Sequence, residues 1–354
     1  MALQMIEMDL QFQNIIEGPP LSAEQLWSRC TGNDKITVTS WGNTWANQTE
    51  VNRKSYDFNA LTAMALHGKE AYKPIILAGS GPSLKKNVDW LLAKKVKNQF
   101  GEEMDWPGRG GIRIVSCVHN FPMFEDRGVM TKDDYYVNLD AGPITITEMH
   151  EGGKFADNPQ HYWDLTKDRT LVAHHCTHPD FLKKWQGPKY FFSDQSFTPG
   201  SLDPWLDVTI VPPLQVGGCV LGAAMYFSEI ILGASQVVFI GADFSFSYNK
   251  KFHAWDSQYD QKFSGVIPAT DIFGNRVWTW PSYENFAFWF QYHACGGGGN
   301  NSHNWVNCTE GGILGSWPHG NIKQIPQMVL SDYLKMQTRH SLMPYWQKKK
   351  VLLW

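Results

Sequence analysis

The chain lacks a dominant charge. Its 354 residues carry 31 Lys and Arg against 34 Asp and Glu, a formal net charge of −3. That removes the global basic field with which nucleic-acid binders hold a phosphate backbone, so no nucleic-acid partner is expected. Cysteine is scarce and scattered. The six, at positions 30, 117, 176, 219, 295 and 308, form no CxxC pair. Several sit in apolar stretches, where a free thiol behaves as a small hydrophobe. This is no disulfide framework, and a reducing compartment, the cytoplasm, is expected. A long uncharged apolar run is also missing. The most apolar stretch, Val220 to Phe246, contains Glu229, Asp243 and several glycines. Gly233 divides it into a helix and a strand, so no membrane span is expected. The opening MALQMIEMDLQFQN has early acids and no basic segment ahead of an apolar core, unlike a signal peptide. Sequons stand at Asn47, Asn300 and Asn307 and mean nothing without secretion. No internal repeat is visible.

What is present is a globular balance, 43% hydrophobic and 18% charged. It suits one large α/β domain with additions or two modest domains. Trp is abundant at 16 residues, which fits either ring stacking on sugars or bases or a large core. Residues 1–72 read as a weakly patterned cap, 73–255 as a nucleotide-binding core and 256–354 as an extension completing the pocket. A homo-oligomer stays open.

Within the core, Pro74 to Ala78 is a short apolar run stopping at Gly79, the pattern of a buried strand. Leu84 to Lys97 has helical spacing, and Pro82 suits a helix start. Further strands are expected at Ile112–Val118, Tyr135–Leu139, Leu171–Ala173, Tyr190–Phe192 and Gln236–Gly241. A short helix is expected at Phe121–Arg127, and a helix at Cys219–Leu232 after Gly217-Gly218. Two more helices are expected near 282–294 and 323–340. Beyond 256 the pattern weakens, with Gly296 to Gly299 as a flexible turn. Alternating strands and helices predict a Rossmann-like, doubly wound and mostly parallel sheet.

The chemistry concentrates where strands end. Gly79-Ser80-Gly81-Pro82-Ser83-Leu84 joins a strand to a helix N-terminus, where free amides and the helix dipole favour an anion. Ser80 and Ser83 add hydroxyls. A plain tight turn is the alternative. No Walker lysine follows, and Leu84 takes the third glycine position of the dinucleotide fingerprint. His119-Asn120 ends the next strand with no acid for a ribose, which disfavours NAD. Asp140 and Asp243 each follow a strand's C-terminal end and could hold Mg²⁺, orient a hydroxyl, or simply cap a turn. Gly217-Gly218 could form a second anion cradle or give packing room. His174, His175, Cys176 and His178 are dense, but a strand sends alternate residues to opposite faces and no second ligand pair is visible. Asn307 to Gly312 is a polar loop in which Glu310 could be a base, a ribose ligand or a cap.

Taken in order, the blocks ILAGSGPSLKKN, CVHNFPMFEDRGV, DYYVNLDAG, HHCTHPDFLKKW, VGGCVLGAAMYFSEIILGASQVVFIGADFSFSYNKKFHA, ATDIFGNRVWTW and NWVNCTEGGILG resemble the MptE-like family over about residues 73–318. That family holds 6-hydroxymethyl-dihydropterin diphosphokinases and motility accessory factors that glycosylate flagellin. The resemblance implies a Rossmann-like core similar to bacterial sialyltransferases. It implies that Gly79, Gly81, Pro82 and Ser83 hold nucleotide phosphates, with Asn120 facing the nucleotide and Asp140 beside it. Gly217 and Gly218 would line the pocket, Asp243 would end a strand and His253 would follow. Asn307, Thr309, Glu310 and Gly311 would form the last wall. Three positions depart from the family: Cys219 for the usual Ser, Ala242 for the usual Gln, and Cys308 for the usual Ala.

Two reactions follow from the resemblance. One is Mg²⁺-assisted pyrophosphoryl transfer from ATP to a hydroxymethylpterin-like acceptor, with Asp140 and Asp243 as metal or base candidates. The other is glycosyl transfer from a CMP-activated nonulosonic sugar, with His253 or Glu310 deprotonating the acceptor. The departures at Cys219 and Ala242 keep a third alternative, a non-catalytic binding or virion-associated protein on the same fold.

Overall fold

A computed structural model gives the fold. It describes residues 43, 47, 66–97, 100–194, 213–214, 216–255, 263–294, 303–315 and 325–342. Most of the expected cap, the Gly296–Gly299 turn, Cys30, Cys295 and the sequon at Asn300 lie outside these residues. In chain order, the first described elements are β1 (Pro74–Ala78), α1 (Leu84–Leu91), β2 (Lys94–Lys97), β3 (Glu103–Trp106) and β4 (Arg113–Cys117). Next come α2 (Phe121–Asp126), β5 (Tyr135–Asn138), α3 (Ile144–Glu148), α4 (Pro159–Leu165) and β6 (Thr170–His174). Then α5 (Pro179–Lys184), β7 (Lys189–Asp194), β8 (Pro213–Leu214), α6 (Val220–Tyr226) and β9 (Gln236–Ile240) follow. Last are β10 (Ile267–Thr270), β11 (Arg276–Thr279), α7 (Pro281–Ala294), β12 (Trp305–Asn307) and α8 (Leu330–Leu342).

The chain divides into two compact units, each assembled from two stretches. The first joins Met1–Tyr72 to Val115–Ser235, and the second joins Lys73–Ile114 to Gln236–Trp354. In the second unit β9 lies between β12 and β1, parallel to both, with Ile75 opposite Val237 and Val306 opposite Val238. In the first unit β4, β5, β6, β7 and β8 pair in sequence, all parallel. These are the strands of a mostly parallel, Rossmann-like α/β fold, as the alternation predicts. Buried runs in β1 and β9 follow, because helices cover both faces of a parallel sheet.

Many aromatic rings are core. In the first unit Phe121 packs 4.8 Å from Tyr136 and 5.6 Å from Trp185, centroid to centroid. In the second, Phe239 meets Phe290 at 5.5 Å and Trp305 at 5.6 Å. Each fully buried ring of this size contributes about 1.5–3 kcal/mol.

Three expectations need correction. The helix from Leu84 stops at Leu91 and does not reach Lys97. Lys94 to Lys97 alternates along an antiparallel hairpin with β3, in which Lys95 pairs with Asp105 at 2.6 Å. Gly108 explains the break. With φ +65, its position would put a Cβ 2.5 Å from the Leu91 carbonyl, so the returning chain crosses the helix end there. The region past 256 is also more regular than its pattern suggests. It holds the β10–β11 hairpin and β12, a strand too short to show a period. Finally, the last helix starts at Leu330, later than expected. The helix expected over Cys219–Leu232 is found as Val220–Ile231, changing from α to π winding at Phe227. No helix among the described residues is long and apolar enough to cross a membrane.

Candidate functional site

In the second unit the glycine turn sits between β1 and α1. The Gly79 amide donates to the Ile240 carbonyl at 2.9 Å and the Gly81 amide to the Gly241 carbonyl at 2.8 Å. A Cβ on Gly79 would stand 2.5 Å from the Gly241 oxygen, and one on Gly81 would stand 2.2 Å from Asp243 Oδ2. Both glycines are therefore required by close approach of β9 and the residues after it. Asp243 fills the anion position at the start of α1. The Ser83 hydroxyl donates to its Oδ2 at 2.7 Å, and the Ser83 amide lies 3.3 Å from each carboxylate oxygen. Burial pushes this carboxyl up to about 6, against the Ser83 donors and the Lys86 charge, which lower it. Pro82 has no N–H. The Ser80 amide and hydroxyl carry no partner among the described residues, while the Ser80 carbonyl accepts from Ala254 at 3.1 Å. His253, just before Ala254, is buried with its ring 4.8 Å from Phe252.

The loop after β12 closes the other side of this turn. Asn307 organises it, donating to the Leu314 carbonyl at 2.9 Å and accepting from the Thr309 amide at 3.0 Å. The Thr309 hydroxyl accepts from the Ala242 amide at 3.1 Å. Gly311 faces Asp243 Oδ1, since a Cβ there would lie 3.4 Å away. Glu310 is half-buried, with Oε1 accepting from Asn87 at 3.2 Å and from the Leu330 amide, at the start of α8, at 3.0 Å. The Lys86 ammonium donates to the Glu310 carbonyl. Lys86 and Asn87 border this turn through Glu310, and motif reasoning did not single them out. Their signal was the polar pair in LKKN, one turn into the helix behind the glycines.

The remaining candidates lie in the first unit. Asn120 is fully buried and donates to Ser116 Oγ at 2.9 Å. Asp140 is exposed, and its Oδ1 accepts from the Gly142 amide at 2.7 Å. Gly217 and Gly218 both take positive φ, 56° and 77°, immediately before α6. Cys219 caps that helix, its sulfur accepting from the Gly222 amide at 3.4 Å. Sulfur thus supplies the cap acceptor at the position where the resemblance expects serine. Burial pushes this thiol up to about 12, so it is neutral.

Among the described residues no three His, Cys, Asp or Glu side chains gather as a metal centre. Asp243 does not fit magnesium, because both its oxygens are engaged by Ser83 and its flank is closed by Gly81. The histidine cluster splits by role. His174 Nδ1 lies 2.7 Å from Cys176 Sγ in the core, whereas His178 caps α5 by accepting from the Asp180 amide.

The family model for 6-hydroxymethylpterin diphosphokinase MptE-like proteins matches residues 43–249. The solved structure of a MAf glycosyltransferase from Magnetospirillum magneticum AMB-1 aligns with a TM-score of 0.49 at 13% identity. The alignment covers 80% of this chain and 41% of that one, so the present chain spans less than half the length of that protein. No curated protein matches the chain.

Proposed function

We propose a nucleotide-dependent transferase function for this chain, which belongs to the MptE-like family. The reaction proposed is pyrophosphoryl transfer from ATP to a hydroxymethylpterin-like acceptor. One observation carries the reading: the family match spans residues 43–249 and so includes both the glycine turn and Asp243. In this reading the acceptor oxygen bonds to the β-phosphorus of ATP and AMP leaves. The Gly81 and Ser83 amides are already engaged, so the phosphate donors would be the Ser80 amide and hydroxyl, at the mouth of the turn. Asp243 would hold the turn's shape, and the magnesium expected with ATP would depend on other ligands. The test is incubation with ATP, Mg²⁺ and 6-hydroxymethyl-dihydropterin. AMP release that requires the pterin is expected; no AMP with this or related hydroxymethyl acceptors rejects the reaction.

A second reading, transfer of a CMP-activated nonulosonic sugar, is favoured by the commitment of Asp243 to Ser83. A turn without a free acid suits a monophosphate leaving group that carries no metal. Thermal-shift titration separates the two. Stabilisation by CMP and not by ATP favours sugar transfer, and the reverse favours pyrophosphoryl transfer.

A further inference from the structure

The outer face of the β10–β11 hairpin, in the second unit, carries two cations on two aromatic rings. Residues alternate along β11, so Arg276 and Trp278 are exposed while Val277 and Thr279 are buried. The Arg276 guanidinium lies over the Trp278 ring, 5.0 Å from its centroid. Trp278 is 36% exposed and meets Phe263 edge-on at 6.3 Å. The exposed Lys250 reaches over Phe263, its ammonium 4.9 Å from the ring centroid. The backbone sets this row. The Phe246 amide donates to the Trp278 carbonyl at 2.8 Å, and Phe263 packs 5.1 Å from Phe246. Trp280 Nε1 donates to the Ser264 carbonyl at 3.0 Å and so fixes the loop that carries Phe263. Lys250 takes φ 60°, uncommon for a residue other than glycine, in a turn closed by its amide on the Ser247 carbonyl at 2.9 Å.

Neither cation has a carboxylate partner among the described residues. The hairpin's own acid, Asp271, is buried and accepts from the Phe273 and Asn275 amides, the Asn275 side chain and the Tyr248 hydroxyl. A guanidinium stacked on a ring keeps its edge donors for a carboxylate, and a side chain already held on a ring loses less freedom when it captures an anion. The face is therefore complementary to negative charge, with an apolar floor between its two positive ends. The row runs in steps of 4.9, 6.3 and 5.0 Å from Lys250 to Arg276, more than one carboxylate spans. On an extended peptide, side chains two residues apart point the same way and stand about 7 Å apart. Acids four residues apart, with an apolar residue midway, match the row. We propose that this face docks an acidic peptide segment of a partner protein with the pattern acid-x-apolar-x-acid. Its acids meet Lys250 and Arg276, and its apolar side chain lies on Trp278 and Phe263. Single-stranded nucleic acid fits less well. The two rings stand at 80° to each other, so they offer no parallel faces to successive bases, and a net charge of −3 gives no basic field for a phosphate chain. The site does not depend on the transferase reading.

The experiment titrates the full chain into the rhodamine-labelled peptide GESLSEG and reads its anisotropy. The peptides GKSLSKG and GESGSEG and an oligothymidine are titrated in the same way. GESLSEG should bind saturably with a Kd below about 1 mM. GKSLSKG should not bind, and GESGSEG, which lacks the apolar centre, should bind about fivefold more weakly. K250Q and R276Q should each raise the Kd for GESLSEG about fivefold, and the double variant about 25-fold. W278A should raise it about fivefold as well, and should bind GESLSEG and GESGSEG alike. Lys250, Arg276 and Trp278 are exposed, so these substitutions leave the core of the unit intact. Four results overturn the proposal: no saturation by GESLSEG, equal binding of GKSLSKG or GESGSEG by the parent, a Kd unmoved by K250Q and R276Q, or tighter binding of oligothymidine than of GESLSEG. The last would assign the face to single-stranded nucleic acid.

Discussion

At the scale of single residues, Asp243 shows how a turn that reads as an open anion site can be filled from within the chain. A glycine turn before a helix reads as an empty anion cradle, yet here the protein supplies its own anion. What the sequence does not disclose is that Ser83 faces inward, because a turn's amides can point to either side with the same residues. The consequence is testable. Ser83→Ala removes a 2.7 Å hydrogen bond to a buried carboxylate and should destabilise the fold by about 2 kcal/mol. Because Ser83 lowers the Asp243 carboxyl, the same variant should also move its titration to higher pH. Urea midpoints measure the first effect and carboxyl-carbon NMR the second. An unchanged midpoint would mean that water satisfies the Asp243 carboxylate as well as the Ser83 hydroxyl does.

At the scale of elements, what was legible followed chain length and periodicity. The buried strands β1, β4, β5, β6, β7 and β9 each announce themselves as apolar runs bounded by turn residues. The β2–β3 hairpin did not, because Lys94–Lys97 continues the helical count of the preceding segment and its partner Glu103–Trp106 alternates charged and apolar residues without an apolar run. Asn43 and Asn47 were invisible as ties between loops because their partners are carbonyls about 100 or more positions away. The start of α6 offers a clean check on the cysteine departure. Cys219→Ser should keep the cap, and Cys219→Ala should cost about 1 kcal/mol by denaturant titration. The loop after β12 gives a sharper one. Gly312 has φ +72, and a Cβ there would stand 2.2 Å from the Asp243 carbonyl. Gly312→Ala should therefore destabilise by more than about 2 kcal/mol, through both strain and collision. A midpoint within error of the parent would show that this loop relaxes freely.

At the scale of the whole molecule, two buried titrating groups pull stability in opposite directions with pH. Asp243 is raised from 3.8 to about 6, chiefly by burial. Its contribution is fully present below its ordinary value and is lost as pH rises through about 6. That difference amounts to about 2 kcal/mol between pH 4 and 7. His174 is displaced the other way. Burial, with the neighbouring His175 second, holds its imidazole well below the ordinary 6.5. Its contribution is present above 6.5 and is lost as pH falls, because the unfolded chain takes up a proton that the folded one resists. Single substitutions separate the two flanks. The parent should lose stability relative to Asp243→Asn as pH rises from 4 to 7. Relative to His174→Gln it should lose stability as pH falls over the same range. Guanidinium midpoints across that range measure both differences. A parent-minus-Asn difference that stays flat would mean that Asp243 is ionised throughout, and that Ser83 and Lys86 outweigh its burial.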